Sequence, residues 1–283
     1  MAHNIAQTKD NEWMTAWSGD TPWHRLGTQT EGLMTSQEAL EKAHLDWVVE
    51  KHPLRYIDEG GIHTVPETYG VFRNDGEKLV PLTRNGKAVG KVWKAWQNVD
   101  AFSYVDELFQ TQEGKIEVCG ALGNGEKVWV LARMPNNIVL GGVDTINQFL
   151  LITNTHDGTG SLVIMLTPIR VVCQNTLNMA ISQGSEYMWR VRHTGKKDEH
   201  LSAIQRVFME ANTAFYQWGE QAAQLIDIEM TVEESKEYFI DTLQLKRNEE
   251  TGELATRGKG MLNKCVALLA GDNNKVGDME GTA

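Results

Sequence analysis

Basic side chains that could bind phosphate are concentrated between Ser161 and Lys197. That segment holds five basic residues and a single acid, Glu186, whereas the whole chain has 27 Lys and Arg against 38 Asp and Glu, a net charge of −11. Arginine binds phosphate through two parallel hydrogen bonds and also stacks on bases. The uneven distribution predicts a local cationic surface on an anionic protein. Its basic residues are Arg170, Arg190, Arg192, Lys196 and Lys197.

The spacing of Arg190 and Arg192 predicts that both side chains point to the same side. They lie in a strand-like stretch, where successive side chains alternate between faces and Trp189 and Val191 take the opposite face. His193 follows directly and extends the candidate surface.

A predicted helix adds polar groups beside these arginines. Thr167 and Pro168 have the residue types of an N-cap and a first helical position. Arg170 then falls in the first turn, where a cation opposes the helix dipole, so it should have an anionic partner, either a carboxylate or a phosphate. The same helix carries three amides that suit a polar ligand: Gln174, Asn175 and Asn178.

A second interpretation of the basic segment needs no ligand. The following region, Leu201 to Gly260, holds eleven acids against six bases, and these acids could balance a solvated cationic strand face. Both interpretations stay open at the level of sequence.

The residue types that could support catalysis are found in the loop from Asn154 to Gly158. His156 and Asp157 could ligate a metal or transfer protons. The tip of a hairpin also requires Asn, Asp and Gly for its backbone geometry alone. A metal-dependent hydrolase is therefore only the third functional hypothesis.

Other signatures of enzymes are missing from the sequence. It contains no GxxxxGK[ST] loop, no GxGxxG between a strand and a helix, and neither HExxH nor GxSxG. Its three cysteines are far apart, which excludes a disulfide framework and favours a reduced, cytoplasmic compartment. We expect no catalytic residue, no bound metal and no cofactor.

Alternating and apolar stretches predict the central elements that position these residues. Two hairpins are expected, 115–122 with 127–133, and 147–153 with 161–166, and the second pair is apolar on both faces. The fold class is α+β, with a central antiparallel sheet of hairpins, a helix packed on it and a helical C-terminal region. Further turns are predicted at Asn74–Gly76 and Asn85–Gly86.

Capping signals place several helices around this sheet. Thr35 with Glu38, and Thr231 with Glu234, have capping-box spacing, and Asn98 is expected to cap a third helix. Long and short helices are also predicted at 198–228 and 261–270.

The predicted organisation has four parts. These are an irregular N-terminal arm (1–34), an α+β core (35–197), a helical C-terminal region (198–271) and a flexible tail (272–283). The tail stops abruptly, so we suspect either truncation or a frayed end. No stretch reaches the roughly 18 apolar residues that span a bilayer.

Several segments together resemble a phage- and plasmid-related family that is defined as a domain of unknown function. They are Pro22–Gly27, Gln97–Asn98, Asn154–Gly158, Leu166–Leu177 and Arg190–Thr194. The resemblance covers about Trp17 to Ala270 and implies a mobile-element context, without known catalytic residues to transfer. The order of hairpins and helix also looks like the core of Rad52-type single-strand annealing proteins.

The leading functional expectation is a non-enzymatic protein that binds single-stranded DNA between the sheet and the helix. Its nine candidate contacts are Arg170, Arg190, Arg192, His193, Lys196, Lys197, Gln174, Asn175 and Asn178. One of the nine tryptophans could stack on a base, and a homo-oligomer, a ring included, would align the basic patches. The alternative is a protein-interaction or host-factor-inhibitor role without nucleic acid.

Overall fold

A computed structural model describes residues 3–76, 78–83, 87–110, 115–135, 137–140, 144–182, 188–194, 197–226, 231–248 and 251–269. The chain divides into two compact units, Met1–Glu220 and Gln221–Ala283. The fold is α+β, as predicted.

Thirteen strands and six helices are present in the described part of the chain. The strands are β1 (Thr15–Ser18), β2 (Thr28–Thr30), β3 (Val48–Asp58), β4 (Gly61–Asn74), β5 (Leu79–Pro81), β6 (Val89–Gly90), β7 (Ile116–Leu122), β8 (Lys127–Arg133), β9 (Ile138–Leu140), β10 (Asp144–Ile146), β11 (Phe149–Thr155), β12 (Leu162–Thr167) and β13 (Met188–Val191). The helices are α1 (Ser36–Lys42), α2 (Asn98–Phe109), α3 (Gln174–Ser182), α4 (Lys197–Ile226), α5 (Val232–Thr242) and α6 (Thr256–Leu269).

The central sheet has seven strands in the order β13-β12-β11-β8-β7-β1-β2. All its neighbours pair antiparallel except β1 and β2, which are parallel. The two predicted hairpins, β7–β8 and β11–β12, are both confirmed. Every residue of β11 and β12 is buried, because both faces of the sheet are covered.

One face of the sheet packs against α1, α2 and the residues near β3 and β4. The core on this side includes Leu45, Trp47, Phe102 and Tyr104. The capping box of Thr35 starts α1, as predicted, since its side chain accepts a hydrogen bond from the Glu38 amide.

The opposite face packs against the segment that follows β12 and against α3. Trp129 is fully buried here, and its Nε1 donates to the carbonyl oxygen of Val171 at 3.3 Å. Leu177 and Ala180 are the buried residues of α3.

The predicted helix start at Thr167–Pro168 is wrong. Thr167 ends β12, and α3 begins at Gln174. Val171, Val172 and Cys173 are consecutive and all buried, which the single apolar stripe of a surface helix does not allow. Tertiary packing therefore keeps this segment irregular, with bends at residues 168, 169 and 173, and Arg170 precedes the helix instead of lying in its first turn.

Two further local predictions need correction. Part of the predicted irregular arm is regular, because β1 joins the central sheet beside β7. Gln97, not Asn98, is the residue before α2; Asn98 is buried in the first turn, where its side-chain amide donates to the carbonyl oxygen of Leu45. The predicted turn at Asn85–Gly86 lies outside the described residues.

A long hairpin, β3–β4, belongs to a second, four-stranded sheet with β5 and β6. Ile57 and Ile62 are directly opposite each other near its tip and are 78% and 67% exposed. The tip of this hairpin thus presents an exposed pair of large apolar side chains.

The second unit contains α5 and α6, which pack against each other. The Thr231 side chain accepts a hydrogen bond from the Glu234 amide, which confirms the second capping box. No helix in the described ranges has the length and apolar character needed to cross a membrane.

Candidate functional site: the surface around α3 and β13

A buried carboxylate organises the segment before α3. Glu117 is 1% exposed and lies at a register shift between Ile116 and Val118 of β7, a bulge that redirects its side chain. Its Oε2 accepts a hydrogen bond from Arg133 Nε at 2.6 Å, and its Oε1 accepts one from Arg170 Nε. Burial of a carboxylate is tolerated here because two cations compensate it.

Arg170 has a second bond that fixes its position. Its Nη2 donates to the carbonyl oxygen of Ser18 in β1 at 2.8 Å. The expected anionic partner of Arg170 is therefore the Glu117 carboxylate within the protein. Arg170 links β7, β1 and the segment before α3, which is a structural role.

Arg190 and Arg192 remain on the surface. Both are exposed, and neither forms an ion pair with any residue in the described part of the chain. Val191 is buried in the core and Trp189 packs against it, so the predicted alternation along β13 is correct. Four strand spacings separate β13 from β7, so Arg190 lies about 19 Å across the sheet from Glu117.

The amides at the start of α3 are close to the N-terminal segment. Gln174 Nε2 donates to Asn178 Oδ1 at 2.7 Å, and the Gln174 backbone amide donates to the carbonyl oxygen of His3 at 3.1 Å. Asn175 and Asn178 are exposed. The three predicted amides therefore lie on one surface. The sequence alone did not predict that this surface is close to His3.

Four aromatic rings form a continuous row beside these amides. The ring centroids of Trp23 and His24 are 5.5 Å apart, those of His24 and His3 are 6.1 Å apart, and those of His3 and Trp13 are 5.3 Å apart. Trp23, at the end of the row, is 61% exposed. It is the most exposed tryptophan in the described part of the chain.

His193 lies inside the protein rather than on the predicted surface. It is 4% exposed, stacks on Trp93 with centroids 4.8 Å apart, and its Nδ1 donates to the carbonyl oxygen of Lys94. Burial lowers the pKa of His193, although the Lys94 and Thr155 carbonyls and Asp157 act in the opposite direction. Because His193 is buried, its side chain is not among the residues that could contact a ligand at the predicted surface.

The loop that carried the hydrolase hypothesis is also mostly interior. His156 is fully buried, and its Nε2 donates to Asn98 Oδ1 at 3.0 Å. Asp157 accepts hydrogen bonds from the amide and hydroxyl of Thr159 and so stabilises its own turn. Across the described residues, no three His, Cys, Asp or Glu side chains are grouped to hold a metal ion.

Two of the predicted contacts are not described. Lys196 and the side chain of Lys197 lie outside the described residues. The site that the structure presents is therefore a surface with Arg190 on β13, Arg192 directly after β13, three amides on α3 and an aromatic row that ends at the exposed Trp23. Sequence reasoning missed Glu117, for which the only signal was a lone acid within an otherwise apolar strand.

The described fold has an α+β core with a polar and partly aromatic surface beside α3. Residues 87–283 match the family described as Domain of unknown function (DUF932), and the chain belongs to that family. Neither the search of curated proteins nor the search of solved structures gives a match.

Proposed function

We propose that this chain is a phage- or plasmid-related protein that binds single-stranded DNA at the surface formed by α3 and β13. The observation that supports the proposal is the exposed pair formed by Arg190, on the edge strand β13, and Arg192, directly after that strand; neither has an acidic partner among the described residues. Such guanidinium groups are free to bind phosphate. Arg170 is not included in this proposed binding site, because the Glu117 carboxylate already neutralises its charge.

A labelled single-stranded oligonucleotide tests this proposal. We expect binding in 50 mM salt that weakens strongly at 200 mM and exceeds the binding of a matched duplex. Replacing both arginines, Arg190→Ala with Arg192→Ala, should weaken binding about tenfold at low salt. It should also reduce the slope of log affinity against log salt by about 1.4, since each phosphate contact on a single strand contributes about 0.7.

A double variant with the same change in net charge is the control. Arg206→Ala with Arg257→Ala removes two exposed arginines from α4 and α6 and should leave affinity nearly unchanged. Equal weakening by both double variants would show that net charge, not this site, governs binding. No binding by the unmodified protein at 50 mM salt would favour the alternative, a protein-interaction or host-factor-inhibitor role.

We further propose that several copies assemble, in a ring or another homo-oligomer, in the manner of Rad52-type annealing proteins in the cytoplasm. Two arginines per copy form a small cationic site on a chain of net charge −11. Assembly would place many such sites along one strand of DNA. Light scattering of the purified protein should give a molar mass of several chains. A mass of one chain at every concentration, with and without oligonucleotide, would contradict assembly.

A further inference from the structure

We infer that Trp23 is a stacking platform for an unpaired nucleobase, an inference that rests on the proposed binding of single-stranded DNA. Trp23 is 61% exposed, although burial of its large apolar ring would be favourable. An aromatic ring that is rigidly held and open to solvent is the usual form of a base-stacking contact.

Hydrogen bonds fix the backbone of the turn that carries Trp23. The Arg25 amide donates to the carbonyl oxygen of Pro22 at 2.9 Å, which closes the turn. Trp17 Nε1 donates to the carbonyl oxygen of Leu26 at 3.0 Å and ties the turn to β1. The ring of Trp23 is thus presented by an ordered backbone, and little conformational entropy should be lost on binding.

His24 connects this turn to the segment before α3. Its Nε2 donates to the carbonyl oxygen of Val172 at 3.0 Å, and its Nδ1 accepts from the Leu26 amide at 3.0 Å. Both ring nitrogens are therefore used, and burial lowers the pKa of His24. A neutral, fixed imidazole packs against one side of Trp23 at 73°.

The space for a rigid turn depends on a glycine. Gly27 has a φ of +91°, and a Cβ at this position would lie 2.4 Å from the carbonyl oxygen of Thr15. Only glycine allows the chain to pass so close to β1. The geometry of the turn is therefore specified by the sequence around it.

The groups near the platform match a nucleotide. Gln174 contacts the same aromatic row through its backbone amide, which donates to the carbonyl oxygen of His3, and its side chain donates to Asn178. Amide groups can donate to and accept from base edges. The nine residues of α3 span about 13 Å, and Ile181 of α3 and Met188 of β13 pack against the same buried cluster. A nucleic-acid strand that stacks on Trp23 and runs along α3 would therefore approach β13.

An oligonucleotide with an abasic site distinguishes stacking from phosphate contact. For the unmodified protein, a short oligothymidylate should bind about 5- to 160-fold more tightly than an oligomer of the same length whose central nucleotides are abasic, because one stacked base contributes about 1–3 kcal/mol. Trp23→Ala should abolish this difference, and Trp23→Phe should restore part of it.

Trp218→Ala is the matched control, since Trp218 on α4 is also exposed, at 48%, and should keep the full preference for intact bases. If the unmodified protein binds the intact oligonucleotide and Trp23→Ala still prefers it to the abasic oligomer, the stacking inference is wrong while the proposed function stands. If the unmodified protein binds neither oligomer, the proposed function itself fails. Circular dichroism of each variant establishes that the fold is intact.

Discussion

Replacing Glu117 by glutamine should lower the free energy of unfolding by about 3 kcal/mol. The carboxylate is 1% exposed and compensates two guanidinium groups, those of Arg133 and Arg170. Removing one partner of a buried ion pair leaves charge without compensation and typically costs about 3–5 kcal/mol. We expect the lower end of this range, because the arginine side chains are 43% and 22% exposed. Urea unfolding followed by tryptophan fluorescence measures the change.

A double-mutant cycle shows whether Arg170 acts through this carboxylate. Arg170→Gln should be destabilising in the unmodified protein and much less so when Glu117→Gln is already present, with a coupling energy of about 1–3 kcal/mol. Independent, additive effects would contradict the ion pair. A large loss of DNA affinity in a folded Arg170→Gln protein would contradict its structural assignment.

Acidification should destabilise the protein through His156. Burial, with a contribution from His193, lowers the pKa of His156 from 6.5 to about 3. In the unfolded chain this imidazole gains its proton near pH 6.5, so between pH 6.5 and 3 the unfolded state binds more protons than the folded state. Stability is therefore complete above pH 6.5 and falls as the pH decreases, by about 1.4 kcal/mol per pH unit and about 4–5 kcal/mol over the whole interval.

The measurement compares the unfolding free energy at pH 7 and pH 5 in the unmodified protein and in His156→Gln. Glutamine keeps a donor that can reach Asn98 Oδ1, but it does not titrate. The loss between the two pH values should be about 2 kcal/mol smaller in His156→Gln than in the unmodified protein. Equal losses in both proteins would show that other groups dominate the acid response.

Short-range signals in the sequence predicted much of the fold. The capping boxes at Thr35 and Thr231 depend only on residues three positions apart, and both are present. Hairpin pairing follows from alternation for β7 and β8, from continuous apolar runs for β11 and β12, and in both cases from a nearby turn. These elements are local, so their determinants are visible in the chain.

Long-range contacts explain what the sequence could not predict. The segment after Thr167 is not a helix, because Arg170 binds a carboxylate 53 residues earlier and three consecutive side chains are buried. The position of His24 beside Trp23 is fixed by a hydrogen bond to Val172, which is 148 residues away. Neither of these two long-range contacts corresponds to a periodicity or a motif in the sequence.

The seven-stranded sheet also determines where the chain can be cut to produce a fragment that folds. The family match begins at residue 87, yet Leu45, Trp47 and Val71 fill the core on one face of the sheet, and β1 covers the free edge of β7. A fragment cut at that boundary would expose both an apolar face and an unpaired strand, the two features that most readily cause aggregation. The matched segment is thus only part of a folding unit, and a stable fragment has to begin before β1.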